Sequence, residues 1–146
     1  MNTSLPISPA TVDAHCFCFA ARRTARLLSR RYDDALRPVE LNTGQFSTLM
    51  VVAGAGSISV QHLADRLEMD RTTATAALKP LERRGLLTIA PDVQDKRSKV
   101  VALTAQGYAL LRKASPLWQA AQRQVEQRVG GKNAAGLRAQ MDALRA

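Results

Sequence analysis

Apolar residues recur at helical spacing along most of the chain, and the two ends carry the longest such patterns. Ser8-Pro9 is a typical helix start, because the hydroxyl can cap the first turn and proline needs no acceptor there. No proline or glycine interrupts residues 10–36, so the pattern predicts one helix of about 40 Å. A small domain does not need so long a helix, which indicates that part of its apolar face meets a second chain.

A second long helix is predicted near the carboxyl end, with Thr104 as its candidate N-cap and a kink at Pro116. A shorter helix follows it, with apolar residues at i, i+4 and i+7. We interpret both chain ends as dimerisation elements, because a monomer this small would leave that stripe exposed. The stripe consists of Leu137, Met141 and Leu144.

The middle third predicts two short helices that meet across a tight turn, after a helix that opens at residues 43–45. Ser59 is the candidate N-cap of residues 60–67, and Asp70 that of residues 71–84. The spacing in the second helix turns Ala74, Ala77, Leu78 and Leu81 toward the core.

The outward face of that second helix carries the residue types that contact DNA bases and phosphates. Pro80 predicts a kink beyond these residues. The candidate DNA-binding residues on this helix are Arg71, Thr72, Thr73, Thr75 and Lys79.

A hairpin follows the helix pair. Gly85 ends the helix, residues 86–90 and 99–103 have strand composition, and residues 91–98 form a polar loop. Asp95, Lys96 and Arg97 are the candidate wing residues, with Arg97 at the tip because a narrow minor groove favours arginine. The predicted fold class is therefore mainly α with a small, two-stranded β-wing: a winged helix-turn-helix DNA-binding lobe plus N- and C-terminal dimerisation helices.

Composition supports an acidic partner and argues against several other classes. Among 146 residues, 21 are Lys or Arg and 12 are Asp or Glu, which gives a formal net charge of +9 and favours a polyanion such as double-stranded DNA. No run approaches the ~20 apolar residues of a membrane helix, and residues 1–10 lack the layout of a signal peptide, so we expect a cytoplasmic protein. The chain has no glycine-rich phosphate loop or metal-ligand cluster, so we expect no enzyme, no cofactor and no metal.

Several segments of the middle region are specific enough to suggest a family. The first two are Gln45-Phe46 and residues 62–67. The four most specific segments follow them in the chain: Met69-Asp70-Arg71-Thr72-Thr73, Leu81-Glu82-Arg83-Arg84-Gly85-Leu86, Asp95-Lys96-Arg97-Ser98-Lys99-Val100 and Leu103-Thr104-Ala105-Gln106-Gly107. Their order and spacing resemble the MarR family of bacterial transcription regulators over roughly residues 12–129.

The resemblance implies one MarR-like domain over residues 1–146, with dimerisation helices at 9–37 and 105–146 and the winged helix-turn-helix at 44–104. It implies an obligate homodimer on a pseudo-palindromic operator, acting as a repressor that a small molecule or an oxidant releases. It also implies that Asp70 pairs with Arg97 and so holds the wing.

The two cysteines are candidates for a redox switch. On one helix, Cys16 and Cys18 would point about 200° apart and form no internal disulfide. Cys18-Phe19, with Tyr32 fourteen residues on, resembles the organic-hydroperoxide-sensing branch of the family, in which a partner-subunit tyrosine meets the reactive cysteine. Arg22 replaces a second tyrosine of that branch, and it lies where a cation would favour the Cys18 thiolate. The alternative is a pair of inert cysteines.

A second effector hypothesis is a small aromatic acid between the dimer helices and the DNA-binding lobe. The candidate lining residues are His15, Phe19, Phe46, Met50 and Trp118, with His15 or Arg23 as the carboxylate anchor. The alternative reading makes each of them an ordinary core or surface residue.

Two other functional classes stay open at this point. A non-regulatory architectural DNA-binding protein would share the charge and the wing, and a thiol peroxidase would use Cys18. The first predicts little discrimination between DNA sequences, and the second predicts peroxide turnover with added thiol.

Overall fold

A computed structural model of the protein describes residues 5–145. In chain order the elements are α1 (Pro9–His15), α2 (Phe17–Leu36), a 3-10 turn (Arg37–Val39), α3 (Thr43–Ala55), β1 (Ser57–Ser59), α4 (Val60–Arg66), α5 (Arg71–Arg83), β2 (Leu87–Pro91), β3 (Lys99–Leu103), α6 (Ala105–Arg128), a second 3-10 turn (Gly131–Asn133) and α7 (Ala134–Ala143). The predicted fold class, mainly α with a small β-wing, is confirmed.

The single N-terminal helix predicted for residues 10–36 is wrong, because the helix breaks at Cys16. This residue has an extended backbone, with φ −80° and ψ 109°. Its N–H donates to the Val12 carbonyl and closes α1, while its Sγ accepts from the Phe19 N–H at 3.4 Å and starts α2. A thiol acceptor at an N-cap is unusual, and residues 10–36 contain no proline or glycine that would mark the break.

Side-chain caps begin the helices of the middle region and α6. Ser59, Asp70 and Thr104 each accept a backbone N–H three residues on, as predicted. α3 starts at Thr43, within the opening segment that the sequence indicated, and Asn42 forms a reciprocal capping box with Gln45 there. These bonds satisfy helix donors that would otherwise have no partner.

The wing belongs to a three-stranded antiparallel sheet in the order β1-β3-β2, so the predicted two-stranded hairpin was incomplete. β3 pairs Val101 with Ile58 of β1 on one side and with Ile89 of β2 on the other. β2 starts at Leu87 instead of residue 86, because the Leu86 N–H still bonds the Leu81 carbonyl at the end of α5.

The core lies between α3, α4, α5 and the sheet, and it supports the second helix of the pair from behind. Fully buried side chains from these elements include Leu49, Leu63, Leu78, Leu81 and Val101. Each buried leucine contributes roughly 1.5–3 kcal/mol relative to an exposed one. α5 continues through Pro80, and α6 continues through Pro116.

Helices α1, α2 and α7 contain few buried residues. α1 has no buried residue, α2 buries Leu36 alone, and α7 buries Ala134 alone. Within residues 5–145, no helix is both long and apolar enough to cross a membrane.

Candidate nucleic-acid interface

The N-terminus of α5 is held by Asp70. Its carboxylate accepts from the Thr73 N–H at 2.8 Å and from the Thr73 Oγ1 at 2.6 Å. These bonds, the side-chain one first, lower the pKa of Asp70. The cap is therefore an anion at neutral pH, where it stabilises the positive end of the helix dipole.

The residues of α5 that the sequence assigned to DNA binding do not all have the same environment. Ala74, Leu78 and Leu81 are buried, as predicted, and Ala77 is half-buried. Thr73 donates to Asp70, and the Thr75 hydroxyl donates to the Arg71 carbonyl at 2.8 Å.

Thr72 lies at the centre of the exposed face of α5. Within the described residues, it is the one threonine of the first two turns whose hydroxyl makes no hydrogen bond. Its hydroxyl and methyl groups are thus available to an outside partner.

The loop between β2 and β3 is ordered by its own carboxylates. Asp92 accepts from the Gln94 N–H at 2.8 Å, and Asp95 accepts from the Arg97 N–H at 3.1 Å. The Arg97 Nε lies 3.6 Å from the same Asp95 carboxylate, and its side chain is 96% exposed. The wing therefore presents a cation to solvent from a folded loop.

Asp70 and Arg97 do not form the expected ion pair with each other. Both oxygens of Asp70 are engaged by Thr73, and Arg97 lies against Asp95, two residues away. The predicted pair is therefore wrong for this chain, because Thr73 in the cap and Asp95 in the wing loop bind the two charged side chains separately.

A groove of about 490 Å³ separates α5 from the wing. Arg71, Thr75 and Lys79 line one side of it, and Lys99 lines the other at the start of β3. Lys99 was not among the predicted DNA-binding residues, although its place as the first residue of the predicted wing strand 99–103 was a signal that it would share this groove.

The redox candidates lie on α2 and at its cap. Cys18 and Arg22 are exposed, and Cys16 is half-buried. The Tyr32 hydroxyl donates to the Gln122 Oε1 of α6 at 2.5 Å. Burial and, next, the Glu126 carboxylate raise the pKa of Tyr32. Tyr32 is thus held against α6 of its own chain.

The structure brings together three of the five effector-pocket candidates. Phe46, Met50 and Trp118 line a cavity of about 400 Å³, where the Phe46 and Trp118 rings stack with centroids 6.0 Å apart. His15 lies elsewhere, with its Nδ1 3.2 Å from the Thr11 carbonyl. Phe19 also lies elsewhere and carries the Arg23 guanidinium over its ring at 5.4 Å.

Potential metal ligands are not clustered. Across residues 5–145, no group of three or more His, Cys, Asp or Glu side chains is arranged to hold a metal ion.

Fold and surface together define a winged helix-turn-helix protein. A family model described as the MarR family matches residues 40–98, and the M. tuberculosis transcriptional regulator MosR, solved in complex with DNA, is 39% identical over 90% of this chain and 100% of that chain, with a TM-score of 0.74. This chain belongs to the MarR family.

Two further similarities are informative. An organic hydroperoxide resistance transcriptional regulator of Bacillus subtilis is 28% identical over 97 residues, which are 66% of this chain and 66% of that protein. A MarR variant of E. coli complexed with operator DNA shares the fold, with a TM-score of 0.85 at 21% identity over 94% of this chain and 99% of that chain. The chain spans between about half and two thirds of the length of the curated relatives it matches.

Proposed function

We propose that this MarR-family protein is a sequence-specific transcriptional regulator that binds double-stranded DNA. The observation that carries the proposal is the exposed polar face of α5 beside a cationic wing, with Arg97 at the wing loop. In this function α5 enters the major groove and the wing reaches the adjacent minor groove. The DNA complexes of MosR and of E. coli MarR support this role.

The three threonines of α5 have different roles in this function. Thr72 is available for base contacts, while the Thr73 and Thr75 hydroxyl protons are engaged within the helix. Thr73 and Thr75 therefore contact DNA through their methyl groups and lone pairs. Lys79, Lys96 and Arg97 supply charge, and Asp95 orients Arg97.

We propose that the protein acts as a homodimer built from the terminal helices. Exposed apolar side chains lie on these helices, among them Phe17 and Leu27 near the amino end and Met141 and Leu144 near the carboxyl end. A twofold axis through these helices would place two α5 helices on half-sites about 34–36 Å apart.

The test of this function is the ratio of affinities for two DNA fragments at one salt concentration. Fluorescence anisotropy compares the intergenic DNA upstream of the protein's own gene with a scrambled duplex of equal length. A regulator of its own gene binds the first at least about 10³-fold more tightly. Equal affinities would favour the architectural alternative, because phosphate contacts alone carry no sequence preference.

For regulation, we propose that the protein is a repressor released by oxidation of Cys18. The exposed Cys18 thiol and the similarity to a hydroperoxide resistance regulator support this proposal. The thiolate attacks the terminal oxygen of the organic hydroperoxide and the O–O bond breaks. The alkoxide leaves and takes a proton from solvent to become the alcohol, while the cysteine is oxidised to a sulfenic acid. Cys18→Ser keeps DNA binding under cumene hydroperoxide, while Cys16→Ser releases DNA like the wild type. Release of the Cys18→Ser variant by the oxidant would contradict the proposal.

The cavity at Phe46, Met50 and Trp118 supports a second mode of release by a small aromatic carboxylate. Trp118 is the single tryptophan of the chain, so its fluorescence reports on this cavity. Benzoate should change that fluorescence with a saturable curve, and Met50→Ala should weaken the response. A linear, unsaturable response would leave this mode without support.

A further inference from the structure

A small cavity of about 280 Å³ lies where the starts of α4 and α5 meet the base of the wing. Three cationic side chains from different elements surround it: Arg71 of α5, Arg97 of the wing loop and Lys99 of β3. We propose that these residues form a seat for one backbone phosphate of DNA, which joins α5 to the wing. The inference rests on the proposed DNA-binding function and assigns the contacts within it.

The charges of the cavity wall favour an anion. Asp95 is the one carboxylate among the residues that line the cavity. Its Oδ1 accepts the Arg97 N–H at 3.1 Å and lies 3.6 Å from the Arg97 Nε, and within the described residues the outer nitrogens of that guanidinium have no partner. Within residues 5–145, Arg71 and Lys99 form no ion pair. Three cations around one carboxylate repel one another, and a phosphate oxygen relieves that repulsion with charge-assisted hydrogen bonds.

The position of Arg71 on α5 points to the DNA backbone. Successive residues of a helix are rotated by about 100°, and Thr72 and Ala76 occupy the centre of the exposed face. Arg71, Thr75 and Glu82 occupy the flank that faces the wing groove. A helix in the major groove turns its centre to the bases and its flanks to the phosphates. Arg71 is therefore a backbone contact, and Thr72 and Ala76 face the bases.

Lys99 is presented from the rigid part of the wing. It is the first residue of β3 and pairs in register with Pro91, the last residue of β2. Its Cα is therefore fixed by the sheet, whereas Arg97 extends from the loop. A cation fixed by the sheet can hold α5 and the wing at one distance when both contact the same phosphate.

The experiment measures anisotropy for Arg71→Ala, Arg97→Ala and Lys99→Ala on a specific and a scrambled duplex over a range of salt. Lys113→Ala, on α6 and outside the cavity, removes the same charge and should leave both affinities unchanged. Arg71→Ala and Lys99→Ala should each lower affinity about tenfold on both duplexes. The ratio of the two affinities should stay constant, and the salt slope should fall by about 1.

The double variant Arg71→Ala/Lys99→Ala tests whether one phosphate is shared. If both residues bind one phosphate, the fold-loss of DNA affinity in the double variant should be smaller than the product of the two single fold-losses. A scan of methylphosphonate substitutions in the specific duplex should find one position at which the wild type loses affinity and the double variant does not.

Three results would overturn the seat: a selective loss on the specific duplex for Arg71→Ala, fully multiplicative losses, or a Lys99→Ala affinity equal to that of Lys113→Ala. Failure of the wild type to bind either duplex would instead contradict the proposed function itself.

Discussion

Gly107 is the glycine at which an added Cβ would come closest to another atom. It lies in the first turn of α6, where a Cβ would stand 2.1 Å from the Leu86 carbonyl oxygen. That oxygen already accepts the Thr104 N–H, so it is fixed by the helix start. Gly107→Ala should lower the free energy of unfolding by about 1–3 kcal/mol, measured by urea unfolding at one protomer concentration.

Gly136 provides the matched control for that substitution. It lies inside α7, and apart from its chain neighbours and its own helix backbone no described atom lies within 4 Å of a Cβ built there. Gly136→Ala should raise stability by up to about 1 kcal/mol, because alanine is the better helix former. Equal changes in the free energy of unfolding for the two substitutions would show that the close approach at Gly107 does not affect stability.

Asp70 predicts a pH dependence of stability. Its pKa is lowered in the folded state by the bonds from Thr73, so its contribution is present above the unfolded pKa of about 3.9 and is lost as pH falls through the folded value. The Tm of the wild type should therefore fall more between pH 5 and 2.5 than that of Asp70→Asn, which keeps a capping oxygen without a charge. Parallel curves would contradict the assignment.

At the residue scale, the sequence predicted helix caps correctly but did not predict the side-chain partners of charged residues. Ser59, Asp70 and Thr104 were identified because a cap depends on residues three positions away. The Asp70–Arg97 pair was wrong because nearer groups, Thr73 and Asp95, satisfy both side chains. That the flank of α5 with Arg71 faces the wing also could not be predicted, because it depends on where the wing lies.

At the scale of elements, the contact between α2 and α6 is open to a direct test. The Tyr32 hydroxyl bonds Gln122, and Gln122 in turn bonds Glu126. Tyr32→Phe should lower stability by about 0.5–1.5 kcal/mol, since it leaves the Gln122 oxygen without that donor. Tyr108→Phe removes a hydroxyl that makes no hydrogen bond within the described residues and should be neutral. Equal changes in urea unfolding for the two variants would contradict the predicted role of this bond.

The elements that sequence reasoning missed depend on distant or unusual partners. β1 has three residues and is a strand only through its pairing with β3, some 40 residues on. The break at Cys16 depends on a thiol that accepts a backbone N–H. Helices with a strong apolar stripe and an ordinary cap, such as α5, were predicted to within one residue of their ends.

At the scale of the whole molecule, the proposed dimer predicts that an exposed apolar residue of α7 is essential for assembly. Met141 is 52% exposed, so Met141→Glu should leave the fold of one chain intact while placing a charge in the interface. Sedimentation velocity at micromolar concentration should then show a shift from dimer to monomer. Val93→Glu, at an exposed position of the wing loop, should remain dimeric, and a dimeric Met141→Glu protein would contradict this interface.

The proposed homodimer of this MarR-family protein would place two α5 helices in successive major grooves of one DNA site. The most direct measurement selects fragments of genomic DNA with the purified protein and maps the bound site by hydroxyl-radical footprinting. The proposed dimer predicts an inverted repeat whose half-sites lie about 10–10.5 base pairs apart, or a multiple of that spacing. A single unrepeated site, or no enrichment of any sequence, would contradict it.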